Sequence, residues 1–409
     1  MLRENDTKDK TRAVLDREIG MHTGGIGLDL TLLPLSDNSN DDYIATQNNK
    51  MRSLLFFRAK CTTAKIGETL ELIRDLATKS VPVSREKAIQ ILERKIANYE
   101  SSIPSSGHAY AIRRIHARYN NLAFLSEKLY GVHQLKILRK MLHDANHDWK
   151  AFERTMIGLT EFFSHMRARD TVINLTGDLE TLESVKDSIE SFVISLENVA
   201  LNSIPQNFFE VDHPWMIHAT EERWDVSVIR DESIAISSQV SYIGTGGMLF
   251  NEGEKVNGQS CAPLQFLKKG YLWDTVRAKN GAYGVMAVSD RGDGFLGMVS
   301  YRDPQLQKTV EVFHSTAQFL NDEIGKNAIT KDTIKTAIVG CIGSIDGSAL
   351  PPIDAGWTSF IRHMSGSTAT RRQKWRDEIL STGLADFVAF GVKLEVWTRE
   401  FSIVALAPK

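Results

Sequence analysis

The chain has 409 residues, enough for two or three domains rather than one. Its 49 basic and 51 acidic side chains leave a formal charge of −2, which argues against a surface devoted to nucleic acid or acidic lipid. With 42% apolar and 24% charged residues, it has an ordinary globular composition, and global disorder is excluded.

Three cysteines, Cys61, Cys261 and Cys341, lie far apart, so neither a disulfide scaffold nor a cysteine zinc knuckle is expected. No run approaches the ~18 apolar residues of a membrane span. Met1 to Arg12 mixes Lys8, Lys10 and Arg12 with Glu4, Asp6 and Asp9, unlike an acid-poor transit peptide or an apolar secretory signal.

In chain order, Gly24 to Leu35 and Met51 to Ala59 read as strands. Amphipathic helices follow. Leu70, Ile73 and Leu76 share a face, as do Ile89, Leu92 and Ile96, and Leu135, Leu138, Leu142, Ala145, Trp149, Phe152 and Met156 continue at spacings of three and four. Thr171 to Leu175 reads as a strand, and Asp178 as a helix cap before Leu182, Val185, Ile189 and Phe192. Residues 203–222 hold Pro205 and Pro214 without a period and read as a linker. Beyond it Val226, Val228, Ile234, Ile236, Val240 and Tyr242 alternate with polar residues, as strands do.

Leu264 to Ala278 reads as a helix stopped by Asn280-Gly281. Tyr283 to Ser289 and Phe295 to Tyr301 read as two strands of a hairpin around Asp290-Arg291-Gly292-Asp293-Gly294. Asp303-Pro304 is expected to open a helix through Leu306, Val310, Phe313 and Leu320, and Phe401 to Ala407 closes as a strand. Both halves thus read as strands, helices and a last strand. The expected class is α+β, two similar domains in tandem, each a mostly antiparallel sheet on helices: residues 1–202 and 223–409.

Four places could carry chemistry. His143 and His147 stand four apart, the spacing of zinc helices, but Asn146 occupies the glutamate position of His-x-x-Glu-His, and an amide cannot act as the general base. Surface histidines are the expected reading, with no metal held. Gly244-Thr245-Gly246-Gly247 lacks the Lys-Ser/Thr of a phosphate loop and reads as a structural turn. The basic runs Arg113, Arg114, His116, Arg118 and Arg371, Arg372, Lys374, Arg376 read as solvated helix faces. The fourth is the most informative. Arg277 falls in a last helical turn, and folding the hairpin about Gly292-Asp293 sets Tyr283 opposite Arg302. Two guanidiniums and a phenol then meet at one end of the sheet, donors suited to a carbonyl oxygen or a carboxylate.

Leu272 to Gly284 (Leu-Trp-Asp-Thr-Val-Arg-Ala-Lys-Asn-Gly-Ala-Tyr-Gly) and Ser300-Tyr-Arg-Asp-Pro304 resemble the C-terminal half of presequence proteases, organellar members of the pitrilysin (inverzincin) family. Thr23-Gly-Gly-Ile26, Ser106-Gly-His108, Val172-Ile-Asn-Leu-Thr176, Ser238 to Ile243 and Arg376 to Thr382 extend the resemblance across nearly the whole chain. It implies a clamshell of two halves around a chamber for unfolded peptides, such as cleaved targeting peptides, in a mitochondrial or plastid matrix. It implies that Tyr283 hydrogen-bonds the oxyanion or the scissile carbonyl, that Arg277 fixes the substrate backbone, and that Arg302 and Tyr301 bind substrate. It puts the zinc in the other half, a separate chain or missing sequence, so the isolated chain is expected to be inactive. It further implies that the chain begins inside its first domain, without that domain's first strand and helix. The alternative is a non-catalytic interaction subunit on the same fold.

Overall fold

The computed structural model describes residues 4–35, 41–46, 51–164, 171–197, 231–347 and 349–408. The expected linker over residues 203–222, with Val226 and Val228, lies outside them. Helix α1 (Arg12–His22) is followed by strand β1 (Ile26–Pro34), which pairs antiparallel with β3 (Met51–Ala59), Ile26 opposite Ala59 and Pro34 opposite Met51. Helix α2 (Ile66–Thr78) buries Leu72 and Leu76 against Leu15 and Ile26 on this hairpin side. The intervening β2 (Tyr43–Ile44) pairs with β6 (Lys255–Val256), so the first half reaches into the second through its backbone.

Helix α3 (Arg85–His116) starts at Ser84, whose hydroxyl accepts from the Lys87 amide. It bends at Ser106 (φ −126°, ψ 22°), two residues after Pro104, which has no amide proton for the helix ladder. Helices α4 (Asn121–Tyr130), α5 (Val132–His147) and α6 (Trp149–Ser164) follow. The long apolar stripe from Leu135 to Met156 is one face of two helices, parted at Asp148, with Leu138, Ala145 and Phe152 packed on Ala88 and Leu92 of α3. Asp178 caps α7 (Leu179–Ser184) as expected, its carboxylate accepting from the Thr181 amide at 2.8 Å, and α8 (Lys186–Glu197) buries Phe192 and Leu196 on Leu70. The strand expected over Thr171 to Leu175 does not form. Val172 is 59% exposed and no strand among the described residues pairs with the segment, and β-branched side chains make a strand only where a pleated partner buries them.

The second half holds a five-stranded sheet in the order β4-β9-β5-β8-β7: β4 (Asp231–Ala235), β5 (Tyr242–Met248), β7 (Gly284–Ser289), β8 (Phe295–Tyr301) and β9 (Ser402–Ala407). All neighbours are antiparallel except β4 and β9. One face of the sheet, with Ile243, Leu296, Met298 and Ala405, packs on helices of its own half. These are α9 (Cys261–Leu267), α10 (Leu306–His314), α11 (Thr316–Gly325), α12 (Lys331–Asp346) and, past α13 (Pro352–Met364), whose Trp357 and Phe360 meet Phe56 of β3 instead, α14 (Ala369–Leu380) and α15 (Leu384–Glu400). The other face, with Tyr242, Phe295, Val299, Val404 and Leu406, is covered by Ile103, Tyr110, Ala111 and Ile115 of α3. The class is α+β as expected, and the two halves share this second core.

Three local expectations are corrected. Gly244 to Gly247 is not a turn but the middle of β5, the central strand. A Cβ on Gly246 would lie 2.8 Å from Ile115 Cγ2 and 2.6 Å from Phe295 Cζ, so the glycine serves the close approach of α3 to the sheet. The helix expected over Leu264 to Ala278 is α9 continued by a π-helical segment, Lys268–Lys279. Asp303-Pro304 does not start α10. Asp303 bridges to Ser241, N to O at 2.8 Å, and its carboxylate takes the Gln305 amide, which delays the helix to Leu306.

Candidate functional site

The hairpin folds in the expected register. Gly284 pairs with Tyr301 and Ser289 with Leu296, and the Tyr283 amide donates to the Arg302 carbonyl at 3.3 Å. Asp290 ties the turn: its carbonyl accepts from the Gly294 amide and its carboxylate from the Gly292 amide. The π-helical segment ends beside Tyr283. From its last turn Arg277 donates through Nε to the Tyr283 carbonyl at 3.0 Å, with its Cζ 4.1 Å from the centre of the Trp273 ring. The backbone of Tyr283 is therefore held from both sides, while its ring is 67% exposed.

Tyr301 stands edge-on to the Tyr283 ring at 5.6 Å, and the Arg302 Cζ lies 5.4 Å and 6.0 Å from the Tyr301 and Tyr283 ring centres. Arg302 takes φ +51°, a left-handed conformation that costs a non-glycine residue about 1–3 kcal/mol. All four residues expected from the sequence are thus brought together. Two more stand behind them. His108 meets Tyr301 edge-on at 4.8 Å, and Tyr242, fully buried, lies 5.8 Å from Tyr301. The Tyr242 hydroxyl donates to the Pro104 carbonyl beside the bend in α3. Burial pushes the Tyr242 phenol up, partly opposed by Arg302, and burial pushes the His108 imidazole down, so its neutral form prevails. His108 Nδ1 is buried without a hydrogen bond. Sequence reasoning used Ser106-Gly-His108 only as a mark of resemblance. The signal was there in Gly107, where a Cβ would meet the Tyr242 ring at 2.2 Å.

This arrangement presents a solvent-facing phenol on fixed backbone, flanked by two guanidiniums. It can donate hydrogen bonds to a carbonyl oxygen or a developing oxyanion at a set position.

His143 and His147 stack at 4.1 Å on the outside of α5, His147 Nδ1 lies 2.8 Å from the His143 carbonyl, and Asn146 donates to the Leu142 carbonyl. Among the described residues the group of three possible ligands is His116, Asp290 and Asp293, and it includes neither histidine. His116 is engaged with Asp293 at 2.5 Å and stacked on Phe295 at 4.2 Å. These side chains do not fit the catalytic zinc of a peptidase, which needs a glutamate general base beside the ligands.

The first basic run is not a solvated face either. Arg114 grips Glu232 of β4 through two nitrogens, at 2.8 and 3.1 Å, Arg118 joins the same carboxylate at 3.0 Å, and Arg113 donates to the Tyr130 carbonyl. In the second run Arg371 is buried, its Cζ 5.3 Å from the Tyr43 ring centre, and Lys374 pairs with Asp42 at 2.8 Å.

A family model described as associated with subfamily C of the M16 peptidases matches residues 1–141, and the PreP C-terminal domain model matches residues 231–409. Residues 1–141 and 231–409 thus carry the domains that these two models describe, and the chain is similar to the C-terminal region of the presequence proteases. It is 29% identical over 408 residues to Presequence protease 1, chloroplastic/mitochondrial, of Arabidopsis thaliana, covering 99% of this chain and 34% of that protein. It is 25% identical to Protein HypA of Clostridium perfringens, covering 98% of this chain and 37% of that protein. With the mitochondrial presequence protease of Yarrowia lipolytica the identity is 24%, over 98% of this chain and 37% of that one. The chain thus spans about a third of the length of these relatives. Among solved structures, the peptidase M16 inactive domain from Pseudomonas fluorescens matches with a TM-score of 0.56 at 15% identity, covering 100% of this chain and 86% of that one. A protease from Helicobacter pylori matches with 0.57 at 11%, covering 100% and 88%. At these identities the likeness is one of fold.

Proposed function

We propose that this chain is the substrate-binding half of a two-part zinc endopeptidase that degrades short unfolded peptides. The observation that carries this reading is the Arg277–Tyr283 arrangement, an exposed phenol whose backbone is clamped by a guanidinium and a strand. In this reading the Tyr283 hydroxyl donates to the oxyanion of the tetrahedral intermediate. Arg277 orients Tyr283 through its carbonyl and leaves its other nitrogens toward the substrate backbone. Tyr301 and Arg302 line the approach. The zinc and its general base belong to a partner half, which this chain's own ligand set does not replace. The names of the Arabidopsis and Yarrowia relatives support a mitochondrial or plastid matrix as the place of action.

The test is reconstitution. The purified chain is mixed with a zinc-bearing half, and cleavage of short unstructured peptides is followed. Tyr283→Phe is expected to lower kcat about 10²–10³-fold with KM nearly unchanged, the signature of a lost oxyanion donor. An unchanged kcat refutes the role. The misfit of His143 and His147 to zinc favours a second reading, a non-catalytic interaction subunit. That reading predicts a stable complex with the partner half and no cleavage by any reconstituted mixture.

A further inference from the structure

At the opposite end of the β7–β8 hairpin from Tyr283 lies an open cavity of about 350 Å³ lined by Arg291, Ile345, Arg362, Arg372, Trp375 and Arg376. Strand β7 has six residues, so at ~3.3 Å per residue the two places are about 20 Å apart along the sheet. Four guanidiniums converge here from three separate elements: the hairpin turn, α13 and α14. Their neutralisation is incomplete. Asp346 takes Arg376 through Nε at 3.1 Å. Arg372 donates to the Ser367 carbonyl, and Arg291 stands over the Tyr43 ring at 4.8 Å. The Arg362 guanidinium has neither hydrogen bond nor ion pair among the described residues. The nearby Asp42 is already shared by Lys255 and Lys374, each at 2.8 Å. Burial, and then the like charges of Arg372, Arg291 and Arg376, hold the Arg362 pKa below its ordinary value. Among the described residues, Asp346 answers Arg376 and Asp290 acts on Arg291, so four guanidiniums in one groove keep an excess of positive charge that an anion would offset.

We propose that this groove binds a small polyphosphate, the diphosphate or triphosphate group of an inorganic polyphosphate or of a nucleotide. Guanidiniums form two-pronged hydrogen bonds to phosphate oxygens, the charge excess calls for a multivalent anion, and about 350 Å³ exceeds what one phosphate needs.

The experiment is calorimetric titration of the full chain with orthophosphate, tripolyphosphate, ATP and adenosine at about 0.15 M salt, where diffuse surface attraction is screened. Tripolyphosphate is expected to bind one-to-one and at least about tenfold more tightly than orthophosphate, because more charge-assisted bonds form. ATP matching tripolyphosphate identifies the phosphates alone as the ligand, and ATP binding more tightly adds the base; adenosine is expected not to bind. Arg362→Gln and Arg372→Gln should each weaken tripolyphosphate about tenfold, while the distant surface change Arg139→Gln leaves it unchanged. Arg362→Lys, which keeps the charge and loses the fork, should fall between parent and Arg362→Gln. The proposal is overturned if no saturable binding is seen, or if both glutamine variants, folded by circular dichroism, bind as the parent does.

Discussion

Glu127 of α4 is 1% exposed. Its Oε1 accepts from the His133 amide at 3.1 Å, its Oε2 has no hydrogen bond, and Arg114 stands 3.9 Å away. Burial dominates and pushes the carboxyl up to about 7, against the opposing His133 amide and Arg114. The sign follows from linkage. An unfolded glutamate ionises near pH ~4.3, so between there and about 7 the unfolded chain releases its proton first and stability falls as pH rises. Above the folded value the loss is complete, on the order of 3 kcal/mol. Glu127→Gln is therefore expected to match the parent near pH 4 and to exceed it by about 2–3 kcal/mol at pH 8, read from urea unfolding at the two pH values. A variant less stable than the parent at pH 8 would mean that the charged carboxylate and Arg114 hold each other in place. None of this was visible in the sequence, where Glu127 sits in an ordinary helical stretch. Tyr283 and Arg302, by contrast, were legible, because a hairpin's turn centre fixes every pair across it.

At the scale of elements, what the sequence carried was local. The periodicities of α2, α5 and α6, the cap at Asp178 and the β7–β8 hairpin each depend on residues within one segment. What escaped depends on a distant partner. The glycines of β5 resemble a turn because conformational freedom and a missing side chain look identical in a sequence. Here the missing side chain is what matters, since α3 crosses over Gly246. Arg114 and Arg118 resembled a wet helix face because Glu232 lies far along the chain. Thr171 to Leu175 resembled a strand because its would-be neighbours were assumed. Gly246→Ala is expected to cost about 1–3 kcal/mol in urea unfolding, as overpacking against Phe295 and Ile115. Gly343→Ala, inside α12 where a Cβ meets nothing within 4 Å, is expected to gain about 0.5–1 kcal/mol. If both changes cost the same, close approach is not why β5 is glycine-rich.

For the whole molecule, the shared core decides whether the halves can exist apart. Tyr242, Phe295, Val299, Val404 and Leu406 of the sheet are buried under α3, and the Tyr119 hydroxyl reaches Ser402 Oγ at 2.9 Å. Full burial of one such side chain is worth about 1.5–3 kcal/mol, so five amount to something on the order of 10 kcal/mol. That equals the entire net stability of an ordinary domain, about 5–15 kcal/mol. The match of one family model to residues 231–409 alone therefore marks a unit of sequence, not an independently stable unit of structure. Produced alone, residues 231–409 should aggregate or bind a hydrophobic dye and melt without a cooperative transition. Co-expressed with residues 1–197 as a second chain, they should elute as one complex in size-exclusion chromatography and recover a sharp melt, because α3 returns to the sheet face. A monodisperse 231–409 fragment that melts at the parent temperature would show that the sheet needs no cover from α3, and would leave the bend at Ser106 and the contacts of His108 with Tyr301 without a structural purpose.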